Sequence, residues 1–224
     1  MRGVIFDFNG TMVFDEKFHL MAWRKFFAEK IDSEISDEEY QKYFQGVNVA
    51  DILEKFLGKK VSGEELAELI EEKEQIYRKL ALDSGEFKLV DGLENFLDEL
   101  KKNNIPRTIA TAAGLDNVKF FFEQLNLANW FNREYVVYDD GTLPGKPAPD
   151  IFLKAAEVIG AEISDCIIFE DSRSGIKAAK RSGAYKIVGI TSTLDEKTLR
   201  ERGATEVIDD FTDLKFLTEL LNED

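Results

Sequence analysis

Several side chains suited to chemistry sit just beyond short apolar runs of this chain. The first is Asp7. VIFDFNGT (4–11) is a buried-strand pattern that ends at Asp7 and breaks into a loop carrying Asn9, Gly10 and Thr11. Open α/β sheets place their chemistry at the carboxyl ends of buried strands, with a glycine-containing loop beyond. A carboxylate nucleophile there would split one hard displacement into two easier ones. Asn9 stands two residues on, at a place open to a second catalytic carboxylate. An amide has no titratable proton at neutral pH.

Three more segments end in matching polar tips. RTIAT (107–111) ends in Thr111, followed by Ala112, Ala113 and Gly114. CIIF (166–169) ends in Glu170, Asp171 and Ser172. Between them GTLPGKPAPD (141–150) carries Lys146 in a loop stiffened by three prolines. Each tip alone has a plain structural reading. Thr111 and the acidic pair can cap the helices that follow, and Lys146 can stand in solvent. The joint pattern is what points to chemistry: a nucleophile-type acid, a hydroxyl, an ammonium and an acidic pair, each closing an apolar run.

The elements that must position these groups fall into two regions. From Glu16 to about Ala81 the pattern is helical, with Phe18, Met21, Ala22, Phe26 and Phe27 at helical spacing. Ser36 and Glu39, then Ser62 and Glu65, have capping-box spacing, and Gly46 and Gly58 punctuate the stretch. From about Leu82, helices are expected at 92–102, 115–125, 149–160, 174–182, 195–202 and 211–221. Strands are expected at 107–111, 134–138, 166–169, 186–190 and 206–208. Such alternation implies right-handed βαβ units and a parallel sheet. The expected class is α/β, a Rossmann-like parallel sheet core built from 1–15 and 82–224, with an α-helical domain inserted at 16–81. Phe120, Phe121 and Phe122 run consecutively and cannot all face one way, so at least one is expected to pack toward the inserted helical domain or toward solvent.

With Asp7-Phe8-Asn9-Gly10-Thr11, Thr111, Lys146 in GKPAPDIF, and Glu170-Asp171-Ser172, the chain resembles the haloacid dehalogenase superfamily. Within it, the chain is similar to the β-phosphoglucomutase-like branch, which carries a helical cap after the first strand. The resemblance implies a magnesium-dependent phosphatase-type hydrolase of a small phosphorylated metabolite, working through an aspartyl-phosphate on Asp7 while the cap closes to exclude water. It implies Mg2+ held by the Asp7 and Asp171 carboxylates and the Asn9 backbone carbonyl, with Glu170 as a further ligand or a neighbour of one. Thr111 would donate to a phosphate oxygen and Lys146 would offset its charge. Gly10, Thr11 and Ala112 would line the phosphate cradle, and Gly114 would bring the positive end of a helix to it.

Asn9 departs from the family pattern, which puts an aspartate there to protonate the leaving group and activate water. Three readings are open: a natural Asn9 with reduced turnover or a different base, an engineered substitution that traps an intermediate, or a protein that has given up catalysis. His19, the only histidine, and Lys73 would contact substrate from the cap, His19 also being a candidate base; a packed histidine and a surface Lys73–Tyr77 pair are the plainer readings. Val49, in QGVNVADIL (45–53), stands where related mutases carry a phosphate-gripping arginine, which disfavours a mutase. A phosphomutase and a catalytically weak phospho-ligand-binding protein remain the alternatives.

The 224 residues carry 29 basic and 44 acidic side chains, a net charge of −15. That balance argues against nucleic acid or an anionic membrane as partner. One cysteine, Cys166, allows no disulfide framework. With no signal peptide and no apolar run of membrane-spanning length, a cytoplasmic protein is expected, monomeric or weakly homodimeric.

Overall fold

The structure, a computed structural model, describes residues 2–44 and 47–222. The chain opens with strand β1 (Gly3–Phe6) and continues through four helices: α1 (Glu16–Ile31), α2 (Asp37–Tyr43), α3 (Val49–Leu57) and α4 (Gly63–Ser84). Strands and helices then alternate: α5 (Leu93–Lys102), β2 (Arg107–Ile109), α6 (Leu115–Gln124), α7 (Asp150–Val158), β3 (Cys166–Glu170), α8 (Arg173–Ser182), β4 (Lys186–Ile190), α9 (Glu196–Arg202), β5 (Glu206–Ile208) and α10 (Leu214–Asn222). Two compact units result, Met1–Phe14 with Lys88–Asp224, and Asp15–Phe87.

In the first unit five strands form a parallel sheet in the order β2-β1-β3-β4-β5. Parallel sheets are covered on both faces, which is why β1 and β3 read as unbroken apolar runs. Successive side chains point to opposite faces. Phe6 lies opposite Phe169 in the register, their rings stacked with centroids 5.1 Å apart. Phe96 of α5, Phe131 and Phe211 complete that aromatic layer. Ile5 and Ile168 point the other way, into Ile151, Phe152 and Ala155 of α7 and Ile176 and Ala179 of α8. These two layers clamp β1 at the centre of the sheet and so fix where Asp7 emerges.

The second unit is helical and has its own core. Trp23, Phe26 and Phe27 of α1 are buried with Tyr40, Phe44, Ile52 and Leu53. The Ser36 capping box forms: Ser36 Oγ accepts from the Glu39 amide, and the Ser36 amide donates to Glu39 Oε2 at 3.0 Å.

Two expectations need correction. Residues 134–138 are not a strand. Arg133–Tyr135 is a 3-10 turn, and Val137 alone pairs, by a bridge to Ala110. The Tyr135 carbonyl accepts from Thr108 Oγ1 at 2.6 Å, so a side chain takes the place of a ladder bond. Ser62 stands at the start of α4 but makes no side-chain cap, and Glu65 pairs with Lys59 at 2.5 Å instead. Phe120, Phe121 and Phe122 are all buried, so none turns to solvent. Gln45 and Gly46, at the head of the 45–53 segment, lie outside the described residues.

Candidate active site

The site is built at the carboxyl edge of the sheet. The Asp7 amide donates to the Phe169 carbonyl at 2.9 Å, which carries the β1–β3 pairing one residue past β1 and brings Asp7 alongside the tip of β3. There the carboxylates of Asp7, Glu170 and Asp171 each offer an oxygen within 4.8 Å of the others, and all three are buried. The proline loop delivers Lys146, through a cis Lys146–Pro147 peptide, so that its Nζ lies 2.5 Å from Asp7 Oδ1 and 2.7 Å from Glu170 Oε2. Phe152 of α7 lies under the ammonium, 5.0 Å from Nζ to the ring centroid.

The balance of charge is telling. Burial opposes the ammonium of Lys146, but Asp7 and Glu170 outweigh it and hold the group protonated above the usual lysine range. Asp171 is pushed well above the carboxylate range, first by burial and then by Glu170 and Asp7. Three buried carboxylates face one ammonium, and a further cation is what such a donor set fits. Asp7 and Asp171 supply oxygens of the kind hard divalent cations take, and Glu170 belongs to the same set. Glu170 is also firmly held: its Oε1 accepts from the Ser172 amide at 2.9 Å and Ser172 Oγ at 2.7 Å.

The loop after Asp7 closes on the same cluster. Gly10 has φ +77°, and its amide donates to the Val13 carbonyl at 2.8 Å. A β-carbon at Gly10 would stand 2.3 Å from Asp171 Oδ2, so only glycine lets the loop lie this close. Asn9 is half-buried and bridges to Val13. Thr11 is fully buried, and its hydroxyl is directed to Asp171 Oδ1 at 3.4 Å. Thr111, also buried, accepts from the Ala113 amide at 3.1 Å. Ala112 is exposed beside it, and Gly114 caps α6.

His19 and Lys73 belong to the helical unit, and they meet there. Lys73, 4% exposed, donates to His19 Nδ1 and Glu74 Oε1, each at 2.8 Å. The His19 ring stacks on Tyr77 with centroids 4.1 Å apart, and its Nε2 lies 3.5 Å from Asp15 Oδ2. Tyr77 hydrogen-bonds to the same carboxylate. Lys73 and Tyr77 are therefore buried rather than a surface pair. The ammonium occupies the Nδ1 lone pair, which leaves Nε2 to carry the ring proton.

Two further residues escaped notice in the sequence. Ser192 and Thr193, just past β4, reach the cluster: Ser192 Oγ donates to the Gly10 carbonyl at 2.5 Å and Thr193 Oγ1 to Asp171 Oδ2 at 2.9 Å. The available signal was that β4, like β1 and β3, is an apolar run with a polar tip.

The model of the haloacid dehalogenase-like hydrolases matches residues 1–183. The β-phosphoglucomutase of Bacillus subtilis is 31% identical over 193 residues, covering 84% of this chain and 82% of that one. The phosphorylated carbohydrates phosphatase of Thermotoga maritima is 28% identical over 226 residues, covering 99% and 100%. The crystal structure of a family IA, variant 3 HAD hydrolase from Entamoeba histolytica aligns over 100% of both chains, with a TM-score of 0.91 and 36% identity.

Proposed function

This chain belongs to the haloacid dehalogenase-like hydrolases, and from that premise we propose that it is a phosphatase-type hydrolase of a small phosphorylated metabolite, with Asp7 as nucleophile. The observation that carries this reading is the buried grouping of Asp7, Glu170 and Asp171 around the Lys146 ammonium. The phosphorylated substrate class is supported by the names of the relatives, one a phosphatase of phosphorylated carbohydrates and one a phosphoglucomutase.

In this reading a carboxylate oxygen of Asp7 attacks phosphorus. An oxygen–phosphorus bond forms to Asp7 as the bond to the leaving oxygen breaks, and the leaving oxygen takes a proton from solvent water, since Asn9 has none to give. Water then attacks phosphorus and gives up a proton to solvent, the Asp7–phosphorus bond breaks to return the Asp7 carboxylate, and inorganic phosphate departs. Lys146 counters the charge gathered on Asp7 and the phosphoryl oxygens. Thr111 donates its hydroxyl to a phosphoryl oxygen, and the backbone around Gly10, Thr11 and Ala112 lines the cradle. Mg2+ is the cation we assign to Asp7, Asp171, the Asn9 carbonyl and Glu170, and when bound it supplies charge neutralisation between nucleophile and phosphate. Residues 16–81 are assigned as the cap, with substrate selection through His19 and Lys73.

Asn9 sets the expected rate. Its amide neither protonates a leaving group nor deprotonates water. Asn9→Asp is therefore expected to raise turnover by about 10²–10⁴. The test is phosphate release from sugar, nucleotide and aryl phosphates with Mg2+, for the native chain, Asn9→Asp and Asp7→Asn. Release by Asn9→Asp that Asp7→Asn abolishes carries the proposal. No release by the native chain or by Asn9→Asp overturns it, and tight phospho-ligand binding in that case marks a sensor.

A further inference from the structure

The tip of β4 takes no part in the chemistry described so far, yet it touches both halves of the site. Thr193 Oγ1 lies 2.9 Å from Asp171 Oδ2 and 3.2 Å from the Asp171 carbonyl. Its single proton goes to the nearer acceptor, Oδ2. Ser192 Oγ lies 2.5 Å from the Gly10 carbonyl and 3.4 Å from Asp171 Oδ2, so its proton goes to Gly10. The two oxygens of Asp171 are thus treated differently. Oδ2 accepts from Thr193 and faces the Gly10 α-carbon, where a side chain would collide with it. Oδ1 is met only by the long 3.4 Å approach of Thr11 among the described contacts.

We propose that Thr193 is a positioning residue for the divalent cation: by holding Asp171 Oδ2 it leaves Oδ1 to face the metal, while Ser192 ties the Gly10 loop to the same strand tip. This deepens the function proposed above and rests on its cation at Asp7 and Asp171. The physical reason is that a carboxylate that must rotate into place loses affinity to its own disorder. One oxygen fixed by a neutral donor leaves the other oriented and still basic. Hydrogen-bond partners of metal ligands act in this way, and their loss costs about 10–100-fold in metal affinity.

The probe is Mn2+ alone, titrated into the metal-free protein and followed by electron paramagnetic resonance of the free ion. Thr193→Val keeps the shape and removes the donor, and it is expected to weaken Mn2+ binding about 10–100-fold. Thr193→Ser, which restores the hydroxyl, is expected to bind close to native strength. Thermal unfolding of the metal-free forms separates this from simple damage, because a positioning role predicts similar melting for Thr193→Val and the native chain. If Thr193→Val does not fold, Thr193→Ala is judged by the same criterion. Native-strength Mn2+ binding by Thr193→Val overturns the positioning role and leaves the metal reading intact. Failure of the native chain itself to bind Mn2+ overturns both.

Discussion

Lys146 Nζ stands 2.5 Å from Asp7 Oδ1, with both side chains almost wholly withdrawn from solvent. The same ammonium serves Glu170 at 2.7 Å. Desolvation is expensive for each charge, so each is retained only because the others are present. Lys146→Met removes the ammonium from a cluster of three acids. Without divalent cations, stability is expected to fall by about 3–5 kcal/mol. Urea titration with and without Mg2+ checks this, and the loss should shrink when Mg2+ is added. Equal losses in both conditions would show that no cation shares the cluster.

Gly175 lies in the first turn of α8, directly beneath Glu170. A β-carbon there would stand 1.9 Å from Glu170 Cδ. Glycine to alanine in a helix ordinarily gains up to about 1 kcal/mol. Gly175→Ala is expected to reverse that sign. Glu170 cannot step aside without leaving Lys146 and Ser172, so a loss of about 1–3 kcal/mol is expected from overpacking. Chemical denaturation gives the stability change, and phosphate release measured in the Asn9→Asp background should fall with it.

The legible part of this molecule was the part where burial dictates residue type. β1, β3 and β4 lie in the middle of the sheet, covered on both faces, and their apolar runs have no competing explanation. The polar tips of β1 and β3 stood out for the same reason, as abrupt ends to apolar runs. Residues 134–138 misled because their apolar character comes from edge packing, with a single bridging residue at Val137. Ser62–Glu65 misled because Lys59 competes for the glutamate. His19 and Lys73, 54 positions apart, gave no sign of each other, since their meeting depends on how α1 and α4 pack. Thr191-Ser192-Thr193 reads as an ordinary polar turn, and only the three-dimensional neighbourhood of Asp171 gives two of its hydroxyls a task.

Cys166 opens β3 fully buried, its Sγ 3.3 Å from the Glu162 carbonyl. Burial, with Asp165 adding to it, pushes the thiol up to about 11 from its ordinary 9.0. The folded chain thus keeps its proton at a pH where the unfolded chain has lost it. The stability this contributes is fully present below the unfolded value and is lost as pH rises through the folded one. Urea midpoints measured from neutral to strongly alkaline pH should fall more steeply for the native chain than for Cys166→Ala. In parallel, the folded thiol should resist a disulfide reagent at mildly alkaline pH and react once denatured.

Gly10 and Gly58 provide a controlled comparison. Both adopt left-handed backbone, φ +77° and +69°. Alanine pays a similar conformational cost at either place, about 1–2 kcal/mol. At Gly58 a new β-carbon meets nothing within 4 Å, whereas at Gly10 it would lie 2.3 Å from Asp171 Oδ2. The Gly10 backbone cannot relax freely, because its amide is bonded to Val13 and its carbonyl to Ser192. Gly58→Ala is therefore expected to lower stability by the conformational cost alone and leave Mn2+ binding unchanged. Gly10→Ala should lose more stability and should also weaken Mn2+ binding, because the carboxylate that moves is a proposed ligand. Equal effects of the two variants on metal affinity would mean that the Gly10 loop and Asp171 do not act on a common cation.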